Sequence, residues 1–164
     1  MEKIESTFKP MSGYVGLLLM LILGIGWVVL GLMLKNPVII ILAALTFIFI
    51  SIGLTAISPN GSRVLTLFGA YKGTVRENGF FFINPFFKKQ KISLRARNLD
   101  TPPIKVNDSL GNPIKIGAVV VWKVKETFRA AFDVDDYQNF VNIQSEAAIR
   151  KLAGHYPYDD FEDE

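Results

Sequence analysis

The apolar positions along this chain change period twice. From Tyr14 to Leu34, and again from Val38 to Ile57, they are almost continuous: 21 and 20 residues without one Asp, Glu, Lys or Arg, separated only by Lys35, Asn36 and Pro37. A helix crosses a hydrocarbon core of about 30 Å with about 20 residues at 1.5 Å each. Runs that are apolar on every side suit lipid rather than the one-sided burial of a soluble helix. Pro37 fits the first turn of a helix, where its missing N–H costs nothing. The pattern predicts a transmembrane helical hairpin over residues 14–57, an N-terminal tail over residues 1–13, and a tight turn at Lys35, Asn36 and Pro37. A signal peptide has a shorter apolar core and no second run directly behind it. A shallow hairpin held in one leaflet, bent at Gly24, Gly26, Gly31 and Pro37, is the rival arrangement. The full length of both runs favours a complete crossing.

Past Ser58 the pattern becomes that of strands. Pro59-Asn60-Gly61 is a turn signal, and Ser62 to Phe68 alternates with β-branched content. Gly69 to Gly73 turns the chain into Thr74-Val75-Arg76, and Phe80 to Ile83 is a short apolar strand stopped by Asn84-Pro85. Lys89 to Asn98 reads as one strand with Ile92, Leu94 and Ala96 on a single face. Ile104 to Val106 is a further short strand, Asp108 to Asn112 a hairpin turn, and Ile114 to Val124 the longest strand. The period then becomes helical. Glu126 to Phe132 forms about two turns. From Asp136 to His155, Tyr137, Val141, Ala148 and Leu152 mark an amphipathic helix, capped by Asp135 and favoured in its first turn by Asp136. The fold class is α+β: the hairpin, then a small domain over residues 59–158 in which one antiparallel-rich sheet is closed by a packing helix. Residues 159–164 form an acidic end.

Charge adds a direction. Residues 59–125 hold twelve Lys or Arg against three Asp or Glu, whereas residues 126–164 hold three against ten. A basic segment directly after the membrane suits anionic headgroups, each nearby charge contributing about 1 kcal/mol. The hairpin tip offers Lys35 alone, while Lys3, Lys9, Arg63, Lys72 and Arg76 flank the other side. The positive-inside rule therefore places both termini and the soluble domain in the cytoplasm. Six aromatic or apolar residues crowd Phe80 to Phe87, with Lys88, Lys89 and Lys91 behind them. Phe86 and Phe87, past the proline, together with those three lysines form the candidate membrane-interface site. The tethered geometry makes lipid, not nucleic acid, the nearer anionic partner.

Little in the chain carries catalytic chemistry. It has no cysteine and one histidine, His155, at a helix end where imidazolium suits the helix dipole. Neither metal-ligand spacing nor a phosphate-cradling loop occurs, so no catalytic, cofactor or metal residues are assigned. A hydrolase would need Ser109 and His155 to converge, and nothing in the sequence brings them together.

The stretches Pro59–Phe87 (PNGSRVLTLFGAYKGTVRENGFFFINPFF), Lys91–Asp108 (KISLRARNLDTPPIKVND), Gly111–Val124 (GNPIKIGAVVVWKV) and the Asp136–Arg150 helix, in this order behind a membrane anchor, resemble the stomatin, prohibitin and flotillin (SPFH, band 7) superfamily. The two-span hairpin resembles its bacterial membrane-anchored form, in the inner or plasma membrane. The resemblance implies a non-enzymatic scaffold that forms homo-oligomers, organises membrane microdomains and regulates membrane proteases or other membrane proteins. It implies no cofactor, and it places a membrane-proximal surface on Phe86, Phe87, Lys88 and Lys89. In the superfamily the domain continues into a long coiled coil that closes rings. The acidic loop after Tyr158 is therefore expected to be a truncation, with oligomerisation residing in a missing C-terminal region. A monomeric, membrane-tethered adaptor is the alternative.

Overall fold

The computed structural model describes residues 5–158, so the acidic end at 159–164 lies outside the described residues. The chain divides between Leu94 and Arg95 into two compact units.

The first unit opens with strand β1 (Met11–Ser12), which runs straight into helix α1 (Gly13–Leu34); helix α2 (Pro37–Gly53) returns antiparallel to it. Lys35 closes α1 in the left-handed conformation at φ 46°, its N–H donating to the Gly31 carbonyl. Asn36 caps α2 by accepting from the Val38 N–H at 3.0 Å, and Pro37 takes the first helical position. Apolar side chains stand exposed around both helices, Leu32, Met33 and Ile40 among them. Among the described residues one helix, α1, meets the length and hydropathy of a membrane span. At 1.5 Å per residue its 22 residues rise about 33 Å, against about 26 Å for the 17 of α2.

The second apolar run does not stay helical to Ile57. Leu54–Ile57 is strand β2, paired antiparallel with β5 (Gly79–Phe82), which takes β1 along its other edge. Thr55 and Ile57 are β-branched, and the neighbouring edge of β5 supplies hydrogen bonds a helix would forgo. A second antiparallel sheet has the order β4 (Ala70–Val75), β3 (Gly61–Leu67), β6 (Lys88–Ser93). The turn expected over 69–73 shrinks to Phe68 and Gly69, because β4 already begins at Ala70. The N-terminal tail is built into this sheet. The Phe8 N–H donates to Thr74 O and the Thr74 N–H to Ser6 O, while Glu5 pairs with Arg76 at 2.8 Å. Ile57, Leu65, Val75 and Ile83 form the buried core, with Phe8, Phe81 and Phe87 against it.

The strand expected over 89–98 is two strands. Its partner β3 ends at Gly61, opposite Ser93, so the ladder has nothing to continue on. After Leu94 the second unit begins, with a two-stranded antiparallel sheet of β7 (Arg97–Asn107) and β8 (Pro113–Trp122). Pro102 and Pro103 lie within β7 at a register shift between Thr101 and Ile104, an interruption of the ladder where their missing N–H groups forfeit no strand pairing. Short helix α3 (Thr127–Phe132) and α4 (Tyr137–Ala153) follow. Among the described residues there are thus three antiparallel sheets rather than one.

Two details of α4 differ from the sequence pattern. Asp136, not Asp135, caps it, its carboxylate accepting from the Gln138 and Asn139 N–H groups at 2.9 and 3.2 Å. The covered ridge runs through Tyr137, Val141, Ser145, Ile149 and Ala153, whereas Ala148 and Leu152 are exposed. Repeats of four put Ser145 on the inner face, and its polarity masks the ridge from a hydropathy reading. Asp108 organises the β7–β8 turn and ties in the chain after α4. It accepts from the N–H groups of Leu110, Asn112 and Tyr158 and from the Asn112 amide. Burial pushes its carboxyl up, but these hydrogen bonds outweigh that and hold it below the usual aspartate range.

Candidate membrane-interface site

Strand β5 forms the floor beneath the two helices. Successive strand residues point to opposite faces, and its three phenylalanines divide accordingly. Phe81 turns to the buried core of the first unit, while Phe80 and Phe82 turn to the helix ends. Each meets a helix where only hydrogen occupies the side-chain position. A methyl at Gly13 would lie 2.7 Å from Phe80 Cε1, and one at Gly16 2.9 Å from Phe82 Cδ2. A methyl at Gly53 would overlap Phe82 Cε2 and stand 3.0 Å from Cδ2 and Cζ. The Phe82 ring is wedged between the base of α1 and the base of α2. The Ile83 N–H donates to the Gly53 carbonyl at 2.9 Å, and Tyr14 packs edge-on against Phe80 at 5.7 Å.

The five residues expected at the interface separate into different roles. Asn84 sets the turn: its side-chain oxygen accepts from the Phe86 N–H and its carbonyl from the Phe87 N–H. That turn aims Phe86 outward. It is 61% exposed and packs on Phe49 of α2, centroids 5.4 Å apart. Phe49 lies one turn before the end of the helix, so Phe86 extends the apolar wall of α2 sideways. Phe87 turns the other way. Its ring stands edge-on to Phe8 at 5.7 Å and packs, partly buried, against the core cluster of the first unit. One residue of phase, fixed by the Asn84 turn, accounts for the difference.

Lys88 and Lys91 are exposed. Lys89 is engaged. Its ammonium donates to the Ile52 carbonyl at 2.7 Å and to Thr55 Oγ1 at 3.0 Å, capping the last turn of α2. Burial, and then the charge of Arg63, lower its pKa from the ordinary lysine value. A cation at a helix C-terminus is the favourable end of the dipole. Lys89 therefore marks where the apolar helix gives way to polar backbone, and it is not a free charge of the rim. Nothing local to Lys89 points to a partner 37 residues away; the glycines closing both helix bases were the available clue to the Phe80 and Phe82 seats.

In the second unit the Ser109 N–H donates to Tyr156 O at 3.4 Å, which brings the β7–β8 turn beside the end of α4. The His155 Nδ1 is 2.7 Å from the Lys151 carbonyl, and no hydrogen bond joins Ser109 to His155 among the described residues. No group of three or more His, Cys, Asp or Glu able to hold a metal occurs among the described residues.

A family model described as SPFH domain / Band 7 family matches residues 55–164. It begins one residue into β2, at the boundary between α2 and the floor. An uncharacterized protein of Methanothermobacter thermautotrophicus is 27% identical over 122 residues, which cover 74% of this chain and 37% of that protein. The chain thus spans well under half the length of that relative.

Proposed function

The chain belongs to the SPFH domain / Band 7 family, whose members are generally membrane-associated, non-enzymatic scaffolds, and from this we propose a membrane-anchored scaffold whose first unit is fixed rigidly against the bilayer. In this reading α1 and α2 are two spans of a hairpin of the bacterial membrane-anchored form, residues 1–13 and the domain after Ser58 lie on the cytoplasmic face, and the protein forms homo-oligomers that organise the surrounding membrane or regulate membrane proteases and other membrane proteins. The observation that carries it is the floor. The strand β5 is hydrogen-bonded on one edge to β1, which enters α1 directly, and on the other to β2, which leaves α2 directly. A linker would let a domain drift from its anchor; here no linker residue intervenes at either helix. The two-span arrangement draws further support from the exposed apolar side chains around both helices, which water would disfavour. The cytoplasmic placement rests on Lys35 being the one charge at the tip, against Lys9, Arg63, Lys72 and Arg76 at the base.

The test is the mass of the protein, as its gene encodes it, solubilised in mild detergent and measured by light scattering with the detergent contribution subtracted. A defined particle of many subunits is expected. A single-subunit particle across a range of concentrations would refute the scaffold and leave a tethered monomeric adaptor.

A further inference from the structure

The β3–β4 hairpin ends in a two-residue turn whose central residues, Phe68 and Gly69, both have positive φ, 48° and 84°. Positive φ at both positions is the pattern of the type I′ hairpin, which asparagine and glycine occupy at least cost. Phenylalanine is among the less suitable residues for the first of them, since its Cβ crowds the following carbonyl in the left-handed region. Nor does its ring repay the fold: Phe68 is 90% exposed, the most exposed large apolar side chain among the described residues, and nothing lies within 4 Å of a side chain placed at Gly69. A strained backbone carrying a bare aromatic ring points to a contact outside the chain.

The register gives its direction. Thr66 of β3 pairs with Lys88 and Leu65 with Lys89, while the Lys89 ammonium sits on the last turn of α2. Read backwards, β6 leads from Lys89 through Lys88 to Phe86, whose ring lies on Phe49 inside the apolar length of α2. Strand β3 is antiparallel to β6, so it runs from Leu65 to Phe68 in that same direction. The tip and the Phe86 turn therefore leave the sheet at the same end, with exposed Lys88 and Lys72 beside them. Aromatic side chains rimmed by lysines are the composition that settles at a bilayer surface.

We infer that Phe68 is a second membrane anchor: a hairpin tip that inserts its ring at the lipid interface beside Phe86 and holds the β4–β3–β6 sheet at a fixed angle to the bilayer. This rests on the reading of Phe86 as membrane-proximal. These 164 residues contain no cysteine, so single labels can be placed in them without background changes. Phe68→Cys, Phe86→Cys and Asn60→Cys, the last at the opposite end of β3, are made in the full chain and checked for unchanged elution. Each is labelled with an environment-sensitive fluorophore and reconstituted into vesicles of phosphatidylcholine and phosphatidylglycerol. Quenching by acyl-chain nitroxide lipid is compared with quenching by iodide present on both sides. The expected result is several-fold stronger lipid quenching at 68 and 86 than at 60, with the reverse order for iodide. Lipid quenching at 86 alone, with 68 as open to iodide as 60, would overturn the anchor and leave the membrane-proximal reading standing. Lipid quenching at neither position would overturn both.

Discussion

The joint between hairpin and floor makes Gly53→Ala the most informative single change. The added methyl would overlap the Phe82 ring, and the ring has little room to shift toward α1, because the backbone at Gly16 already closes on its Cδ2 and Cγ atoms. The strand cannot yield easily either, since Phe82 is paired to Met11 on one edge and Leu54 on the other. Overpacking of this kind costs about 1–3 kcal/mol. A Gly→Ala change in a helix interior returns up to about 1 kcal/mol, and Gly53, the last helical residue, recovers only part of it. The net expectation is a loss of about 1–2 kcal/mol, read as about 2–4 °C of Tm for each kcal/mol in a chain of this size. Thermal unfolding in detergent, followed by circular dichroism, measures it. Gly26→Ala is the control: nothing lies within 4 Å of a methyl there, so helix propensity alone acts and stability holds or rises. Phe82→Leu removes the obstructing ring edge, so the double variant should lose less than the sum of the singles, by about 0.5–3 kcal/mol of coupling. A Gly53→Ala protein as stable as wild type, or strictly additive singles, would refute the wedge.

Three further outcomes follow from particular contacts. Lys89 has a lowered pKa, so between its folded value and the ordinary 10.5 the unfolded chain binds the extra proton; stability contributed by this group therefore rises with pH across that alkaline window. The wild type should gain stability relative to Lys89→Met as pH climbs toward 10.5, and a pH-independent difference would remove the desolvated ammonium from the argument. Asp136→Ala should cost about 1 kcal/mol through loss of the α4 cap while Asp135→Ala stays near neutral, in urea unfolding of the full chain; equal effects would restore Asp135 as the cap. A reporter enzyme inserted after Lys35 should be active on the outer side of the membrane if both helices cross, and active in the cytoplasm if the hairpin is shallow.

What the sequence made legible follows from range. Two uncharged runs need no partner to be recognised, because the solvent alone selects them, and the Asn36–Pro37 turn is local chemistry. The turn at Asp108 to Asn112 was readable for the same reason, but the short strand expected over 104–106 is part of the 11-residue β7, which exceeds the 10 residues of β8, the strand expected to be longest. Three features escaped because distant neighbours decide them. Leu54–Ile57 is as apolar as the helix before it, and only the edge of β5 makes it a strand. The Phe80–Phe82 run has no period, since one face meets helix glycines and the other a hydrophobic core. Phe86 and Phe87 are identical in composition and are told apart by a turn. Of the predicted interface residues, the structure leaves Phe86, Lys88 and Lys91 facing outward and gives Phe87 to the core and Lys89 to the helix end.

The unequal helices give these assignments a common logic. If both cross the same bilayer, α2 is the shorter by five residues, about 7–8 Å of rise. A span shorter than the hydrocarbon is accommodated by thinning the lipid or through the groups that flank it. Phe86 stands where such a group is needed, against Phe49 near the base of α2, and the ammonium of Lys89 closes the polar backbone at Ile52. Phe82 then locks that base to the longer helix through Gly16. With both helices crossing, the mismatch would be met by the first unit itself, which would tie the position of its sheets to the depth of the hairpin. Removing Phe86 by Phe86→Ser should shift the whole first unit relative to the lipid, whereas an ordinary surface residue would leave its depth unchanged. Depth-dependent quenching of a label at Asn60 would detect that shift, and no change there would show that the hairpin sets its own depth without the domain.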